Sequence, residues 1–198
     1  MPFYANNSTE PKRSFRFLFE LTGIEDANDT LRSYFVKDVK KPTLQMEAGP
    51  QVKYVQHTFK YPGRVMWQDV NVTVYDPGGS DDGGQILYNL IARSGYALPQ
   101  DAPGANTRTA QSISKQKANN SIGNPKIKQI DADAKIVEEW TLHNAYLANV
   151  DFGQLSYDTD EMVNIALTIT YDYASLAGTG VQANPLVRAL GNSGCTHN

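Results

Sequence analysis

The sequence predicts a mainly β chain carrying one helix, and three observations predict it. From Val163 onward the odd positions are Val163, Ile165, Leu167, Ile169, Tyr171 and Tyr173, while the even positions are Asn164, Ala166, Thr168, Thr170 and Asp172. A strand points successive side chains to opposite faces, so one face here is apolar or aromatic and the other small and polar. Tyrosine occurs 11 times, and Thr, Val and Ile are frequent, which favours pleated surfaces. Only one segment, Gly83 to Ser94, carries a clear apolar stripe at helical spacing.

The elements follow in order. Ser14 to Leu21 alternates Phe15, Phe17, Phe19 and Leu21 against Ser14, Arg16, Leu18 and Glu20, a strand that Thr22-Gly23 ends. Glu25 to Asp29 is an acidic turn. Ser33 to Val39 is a second strand, interrupted at Lys41-Pro42 because proline lacks a ladder donor. Leu44 to Tyr75 is β-rich with a soft middle. Ala48-Gly49-Pro50 and Tyr61-Pro62-Gly63 are turn signals bracketing an extended, half-apolar piece, Gln51 to Lys60, which suits a projecting hairpin arm. Val65 to Tyr75 is a strand with Val70, Val72 and Val74 on one face.

Asp76 to Asp82 is a loop feeding the helix, with Asp81 or Asp82 able to cap its first amides and Gly95 suited to its end. Tyr96 to Asn124 is polar and long for a plain connection, with a helical piece within about Thr109 to Asn119. Lys126 to Leu147 reads as a strand pair or one long bent strand, with Ile136, Glu138, Trp140 and Leu142 sharing one parity. Asn149 to Gly153 turns the chain, and Asp158 to Glu161 is an acidic turn before the last strand. After Ala174 the composition shifts to Gly, Ala, Asn and Ser, as in a tail. The expected organisation is an arm over residues 1–13, one domain over 14–173 and an extension over 174–198.

The 198 residues carry 18 Lys and Arg against 21 Asp and Glu, a net charge of −3, so no global basic signal points to nucleic-acid binding. The charge is uneven. Glu10 to Gln68 holds ten bases and seven acids, and Lys126 to Asp172 holds three bases and nine acids. Two readings stand: subunits pairing basic against acidic surfaces, or ordinary scatter. Cys195 is the single cysteine, which excludes a disulfide within the chain and fits a reducing compartment. The N-terminus lacks the apolar core of a secretory signal and no run reaches the roughly 18 apolar residues of a membrane span, which predicts a soluble chain made in the cytoplasm.

Chemistry is sparse. His57, His143 and His197 have no metal-ligand spacing, and Cys195 with His197 supplies two ligands where zinc needs more. Gly78 to Gly84 precedes a helix but lacks the Gly-Lys-Ser/Thr of a phosphate loop, and its aspartates would repel phosphate. Asp158, Asp160 and Glu161 lack the spacing of a calcium loop. No Ser/His/Asp set is suggested, and although paired carboxylates exist, nothing in the sequence places any two across a cleft. The expectation is a protein without catalytic residues, cofactor or metal, built to form surfaces.

KIKQIDADAKIVEEWTLHNAYLANVDFGQLSYDTDEMVNIALTITYDYASL, from Lys126 to Leu176, resembles the C-terminal half of tail-tube proteins of contractile-tailed bacteriophages. The residues that carry it are Trp140, Val150, Gly153, Leu155, Tyr157 and Asp158, then Tyr171-Asp172-Tyr173. Upstream, residues 40–76 look like the family's stacking-loop region followed by its Trp-x-Asp-Val-x-Val-Thr-Val type strand, here Trp67 to Val74. The helix falls where the family's single helix belongs. The resemblance covers Ser14 to Tyr173 and lies in the order of elements. The long loop 96–124, the tail after Ala174 and Cys195 depart from it.

The resemblance implies a β-sandwich or barrel-like subunit with one flanking helix. Six such subunits would close a ring whose strands form one barrel around a channel, and rings would stack into a tube inside a sheath. Closure removes exposed strand edges. It implies as partners further copies of this chain, the tail sheath, baseplate and tail terminator proteins, and the tape-measure protein and genomic DNA in the channel, without sequence-specific binding or membrane insertion. The location implied is a virion tail assembled in the host cytoplasm. The inter-ring arm would comprise Ala48, Gly49, Pro50, Gln51, Val52, Lys53, Tyr54, Val55, Gln56, His57, Thr58, Phe59, Lys60, Tyr61, Pro62 and Gly63. Trp67, Trp140, Tyr157 and Tyr171 would anchor the core or an interface. The alternatives are an inner tube of a contractile injection or type VI secretion system, and a monomeric β-sandwich that binds a carbohydrate or other ligand on its Trp and Tyr side chains.

Overall fold

The computed structural model describes residues 11–21, 35–79, 82–96, 112–158 and 160–178. The arm over 1–10, the acidic turn at 25–29, most of the 96–124 loop and the tail beyond 178, with Cys195 and His197, lie outside the described residues.

The strands are β1 (Phe17–Glu20), β2 (Val36–Val39), β3 (Thr43–Tyr54), β4 (His57–Gln68) and β5 (Val70–Tyr75). Helices α1 (Gly83–Arg93) and α2 (Lys115–Ile122) follow, then β6 (Lys126–Ile130), β7 (Ile136–His143), β8 (Tyr146–Asp151), β9 (Asn164–Thr170) and β10 (Tyr173–Gly178). One four-stranded sheet has the order β1-β6-β7-β10 and a second has β2-β5-β9-β8, while β3 and β4 pair only with each other. Every pairing is antiparallel.

The two four-stranded sheets share one core. Val70, Val72 and Val74 of β5 and Ile165, Leu167 and Ile169 of β9 are fully buried, facing Phe19, Ile127 and Leu142 of the other sheet. The alternation in the sequence thus reads out directly as inside and outside. Leu87 and Leu90 of α1 and Ile122 of α2 complete the core. Each large apolar side chain so buried contributes about 1.5–3 kcal/mol. Asp82 caps α1, its carboxylate accepting from the amides of Gly84 and Gln85, and Ser114 caps α2 in the same manner through Lys117.

Four expectations need correction. Two helices rather than one flank the sheets among the described residues; α2 overlaps the end of the helical piece expected within 109–119 and runs on to Ile122, with Ala118, Ser121 and Ile122 covering the core. Asn149 to Asp151 does not turn but continues β8, paired to β9. The last alternating run is not one strand. It ends at Thr170; just beyond, the Tyr171 hydroxyl donates to the Gln68 carbonyl (2.9 Å) and the Asp172 carboxylate accepts from Lys115 (2.7 Å) and Asn144 (2.8 Å). The chain then crosses to the other sheet, so residues 174–178, which composition assigned to the tail, are strand β10 beside β7.

Candidate functional site

The most distinctive feature is the hairpin β3–β4. It grows out of the second sheet: β2 leads into β3, and β4 passes through Asp69 into β5. The Lys40 amide, donating to the Asn71 carbonyl (2.9 Å), carries the β2–β5 pairing to the hairpin base. Twelve residues per strand give the arm a length of about 40 Å. Beyond its base the arm packs against nothing but itself among the described residues, and nearly every side chain on it is exposed.

Its local structure corrects the reading of Ala48-Gly49-Pro50 and Tyr61-Pro62-Gly63 as turns. Both lie inside strands, and the turn is Val55-Gln56, between the paired Tyr54 and His57. The turn-forming residues instead sit at two register shifts, where Ala48 pairs with Pro62 between Met46–Val65 on one side and Gln51–Lys60 on the other. Each strand holds one extra residue there, so the shifts compensate and pairing resumes. Glycine is required by close approach: a Cβ on Gly49 would lie 2.4 Å from the Tyr61 carbonyl oxygen, and one on Gly63 would lie 2.7 Å from that of Glu47. At the tip Val55 is held at φ 51°, a left-handed conformation that β-branched residues rarely adopt.

The arm is apolar for an exposed element. Leu44, Met46, Val65 and Trp67 pair across its proximal half, and Val52 with Phe59 across its distal half, where Tyr54 and Tyr61 are also exposed. Val55 at the tip is 88% exposed. The same stretch carries Lys53, Lys60 and Arg64 against Glu47. The pairing puts Val52, Tyr54 and Phe59 on one face of the ribbon and Lys53, Thr58 and Lys60 on the other.

The expected anchors separate. Trp67 packs against the core at the hairpin base, its ring 6.1 Å from that of Tyr171, which is itself buried. Burial and the nearby Asp69 carboxylate push the Tyr171 hydroxyl up to about 12, so it stays a hydrogen-bond donor to Gln68. Trp140 packs against the core from β7. Tyr157 is fully exposed on the loop between β8 and β9 and anchors nothing among the described residues.

Sequence reasoning missed a polar knot at the hairpin base. Glu138, on the inward parity of β7, accepts from Lys12, from Lys41 (2.8 Å) and from the Trp140 indole (2.5 Å), and Lys41 also donates to Gln129 (2.6 Å). Burial opposes ionisation of Glu138, but these donors prevail and hold the carboxyl down at about 2. The signal available was a charged residue at a core parity, which demands partners. A carboxyl lowered on folding stabilises the native state above its ordinary value of 4.5, and that contribution disappears as pH falls from there toward about 2. Glu138→Gln is therefore expected to cost about 1–3 kcal/mol at pH 7, with the difference from wild type vanishing near pH 2, as measured by urea unfolding across pH.

The outer faces of the two sheets also differ. Asn71, Thr73, Asn164, Ala166, Thr168 and Thr170 give the second sheet a small, largely uncharged face. The first sheet carries Lys128 with Glu20 (2.6 Å) and Lys126 with Glu139 (3.1 Å) on its outside, and His143 stacked 4.5 Å over Tyr173. Burial lowers the His143 pKa, and its Nε2 meets the Ser175 hydroxyl at 2.8 Å. Among the described residues no group of three or more His, Cys, Asp or Glu could hold a metal, and no helix is long and apolar enough to cross a membrane.

The fold, two antiparallel four-stranded sheets with flanking helices and a long hairpin, is similar to that of chains solved in contractile injection systems. The chain shares it with the tube-terminating cap of the anti-feeding prophage, at 13% identity and a TM-score of 0.59 over 90% of this chain and 99% of that one. It is likewise similar to a chain of the sheath/tube terminator of the extracellular contractile injection system PVC in the extended state (13% identity, TM-score 0.58, 86% and 99% covered). A chain of the PVC sheath-tube complex in the extended state aligns at 12% identity and a TM-score of 0.56, over 85% and 92%. No family model matches the sequence, and no curated protein matches it.

Proposed function

We propose that this protein is the structural subunit of the inner tube of a contractile machine, closing into rings of six that stack into a hollow conduit. The observation that carries the reading is the shared fold over nine-tenths of the chain, together with an apolar arm that the single chain leaves uncovered. The arm from Ala48 to Gly63 is read as the contact between rings, with Thr43 to Glu47 and Arg64 to Gln68 as its stem. Head-to-tail repetition of one contact builds a filament rather than a closed dimer. Trp67, Trp140 and Tyr171 hold the arm's base, and Tyr157 is read as an interface residue.

The resemblance of residues 40–76 and 126–176 to phage tail-tube proteins supports a virion tail through which DNA is ejected, with sheath, baseplate, terminator and tape-measure proteins as partners. A channel for DNA should bind phosphate weakly, since basic contacts create strong, salt-dependent affinity. The acid-rich C-terminal half suits that. The second reading, the tube of an injection system with protein cargo, is favoured by the structural neighbours, which come from such systems. Portal and capsid genes beside this one would decide for the virion.

Negative-stain electron microscopy with size-exclusion light scattering tests the proposal. Rings or hollow tubes are expected. A monodisperse monomer that stays monomeric when baseplate extract is added would overturn it.

A further inference from the structure

The hairpin leaves one end of the second sheet, and the register identifies what lies at the other. β9 runs antiparallel to β5, with Ile169 opposite Val70, where the hairpin joins, and Asn164 opposite Tyr75. The loop that feeds β9, residues 152–163, therefore sits at the end of the sheet farthest from the arm. β8 ends there with Asp151 opposite Ala166, and the Asp76 amide donates to the Val163 carbonyl (3.0 Å).

That far end exposes large apolar side chains. Leu155 is 82% exposed, Met162 is 74% exposed, and Tyr157 is bare. Leu155, Met162 and Asn164 line a shallow depression of about 230 Å³, and the Asn164 side-chain oxygen has no hydrogen-bond partner among the described residues. The charge here has one sign: residues 151–163 contain four acids and no base. The hairpin, over 43–68, contains Lys53, Lys60 and Arg64 against the single acid Glu47. The molecule thus has a basic arm at one end and an acidic loop at the other.

We infer that the loop between β8 and β9 is the seat for the hairpin of a second copy of this chain, which turns toward it the face that carries Lys53, Thr58 and Lys60. Lys53 and Lys60 then face Asp158, Asp160 and Glu161. Complementary charge fixes the register and excludes arm-against-arm pairing, in which like charges would meet. The contact joins unlike ends along the strand direction, so it propagates. The inference rests on the tube reading and deepens it by naming the receiving surface.

The test uses the full chain in two formats. Lys53→Glu with Lys60→Glu should abolish tubes, as should Asp158→Lys with Asp160→Lys and Glu161→Lys. The five changes together should restore tubes, because both surfaces are reversed. Separately, Thr58→Cys with Ser156→Cys in a Cys195→Ser background, treated with a short bismaleimide, should give a ladder of dimers, trimers and higher species. Thermal melts of each variant identify any that fail to fold, and the cross-linking pair keeps the test open in that case. Tubes without a ladder, or without rescue in a folded five-fold variant, would overturn the seat while leaving the tube reading intact. A ladder without rings or tubes would uphold the seat and overturn the tube. Neither ladder nor tubes, with baseplate extract present, would overturn both.

Discussion

Removal of Gln51–Lys60 is expected to leave a folded subunit that builds no long tubes. The structure explains why the deletion is tolerable. Ala48 pairs with Pro62, so the shortened chain closes through Gly49, Pro50 and Tyr61, a loop of ordinary hairpin size. The deleted residues contribute to none of the core, and an element that packs only on itself adds little to global stability, so the cost should stay near about 1 kcal/mol. The loss should fall on assembly, because the segment holds most of the arm's distal apolar surface. Thermal unfolding and electron microscopy on the same preparation check both halves. A normal melt with normal tubes would overturn the arm's assigned role.

The opposite expectation holds for Leu167→Ala. Leu167 is 1% exposed on β9, the strand that joins β5 to β8, and it lies among Val72, Val150 and the rest of the core. Truncation removes apolar contact and leaves a cavity that the close-packed sheet can only partly close, costing about 2–5 kcal/mol. A domain of this kind has roughly 5–15 kcal/mol in all, so the variant should lose much of its margin. Phe59→Ala on the arm is the control. Its ring is half exposed in the single chain, so unfolding midpoints in urea should scarcely move while tube length falls. The pair separates residues that hold the subunit from residues that join subunits.

Much of this was legible from residue order. The period-two runs at Val70 to Val74 and Ile165 to Ile169 named the two central strands and their inward faces, because burial on one side of a pleat leaves no other pattern. The helix over 83–94 followed from its stripe and its aspartate cap. The resemblance of residues 40–76 and 126–176 pointed to the right fold, and a half-apolar stretch between glycine-proline signals marked the arm. What local reading could not supply was anything set by partners distant in sequence. Gly49-Pro50 and Pro62-Gly63 have turn chemistry, yet only their mutual pairing converts them into compensating bulges and moves the turn to Val55-Gln56. A helical piece within 109–119 was legible, but where α2 begins and ends, at Lys115 and Ile122, depends on the core that Ala118 and Ile122 cover.

After Thr170 the chain crosses to pair with β7, a strand some thirty residues back along the chain, and so β10 was hidden in what composition called a tail. The pairing of Glu138 with Lys12 and Lys41 spans more than ninety residues in each case. The sequence alone determined which residues face inward, since alternation is a local property of the backbone. Only the tertiary structure decided which strands are neighbours and where the chain turns between sheets. It also set the basic arm and the acidic loop at opposite ends of one sheet, because antiparallel register is a relation between segments that no single segment encodes.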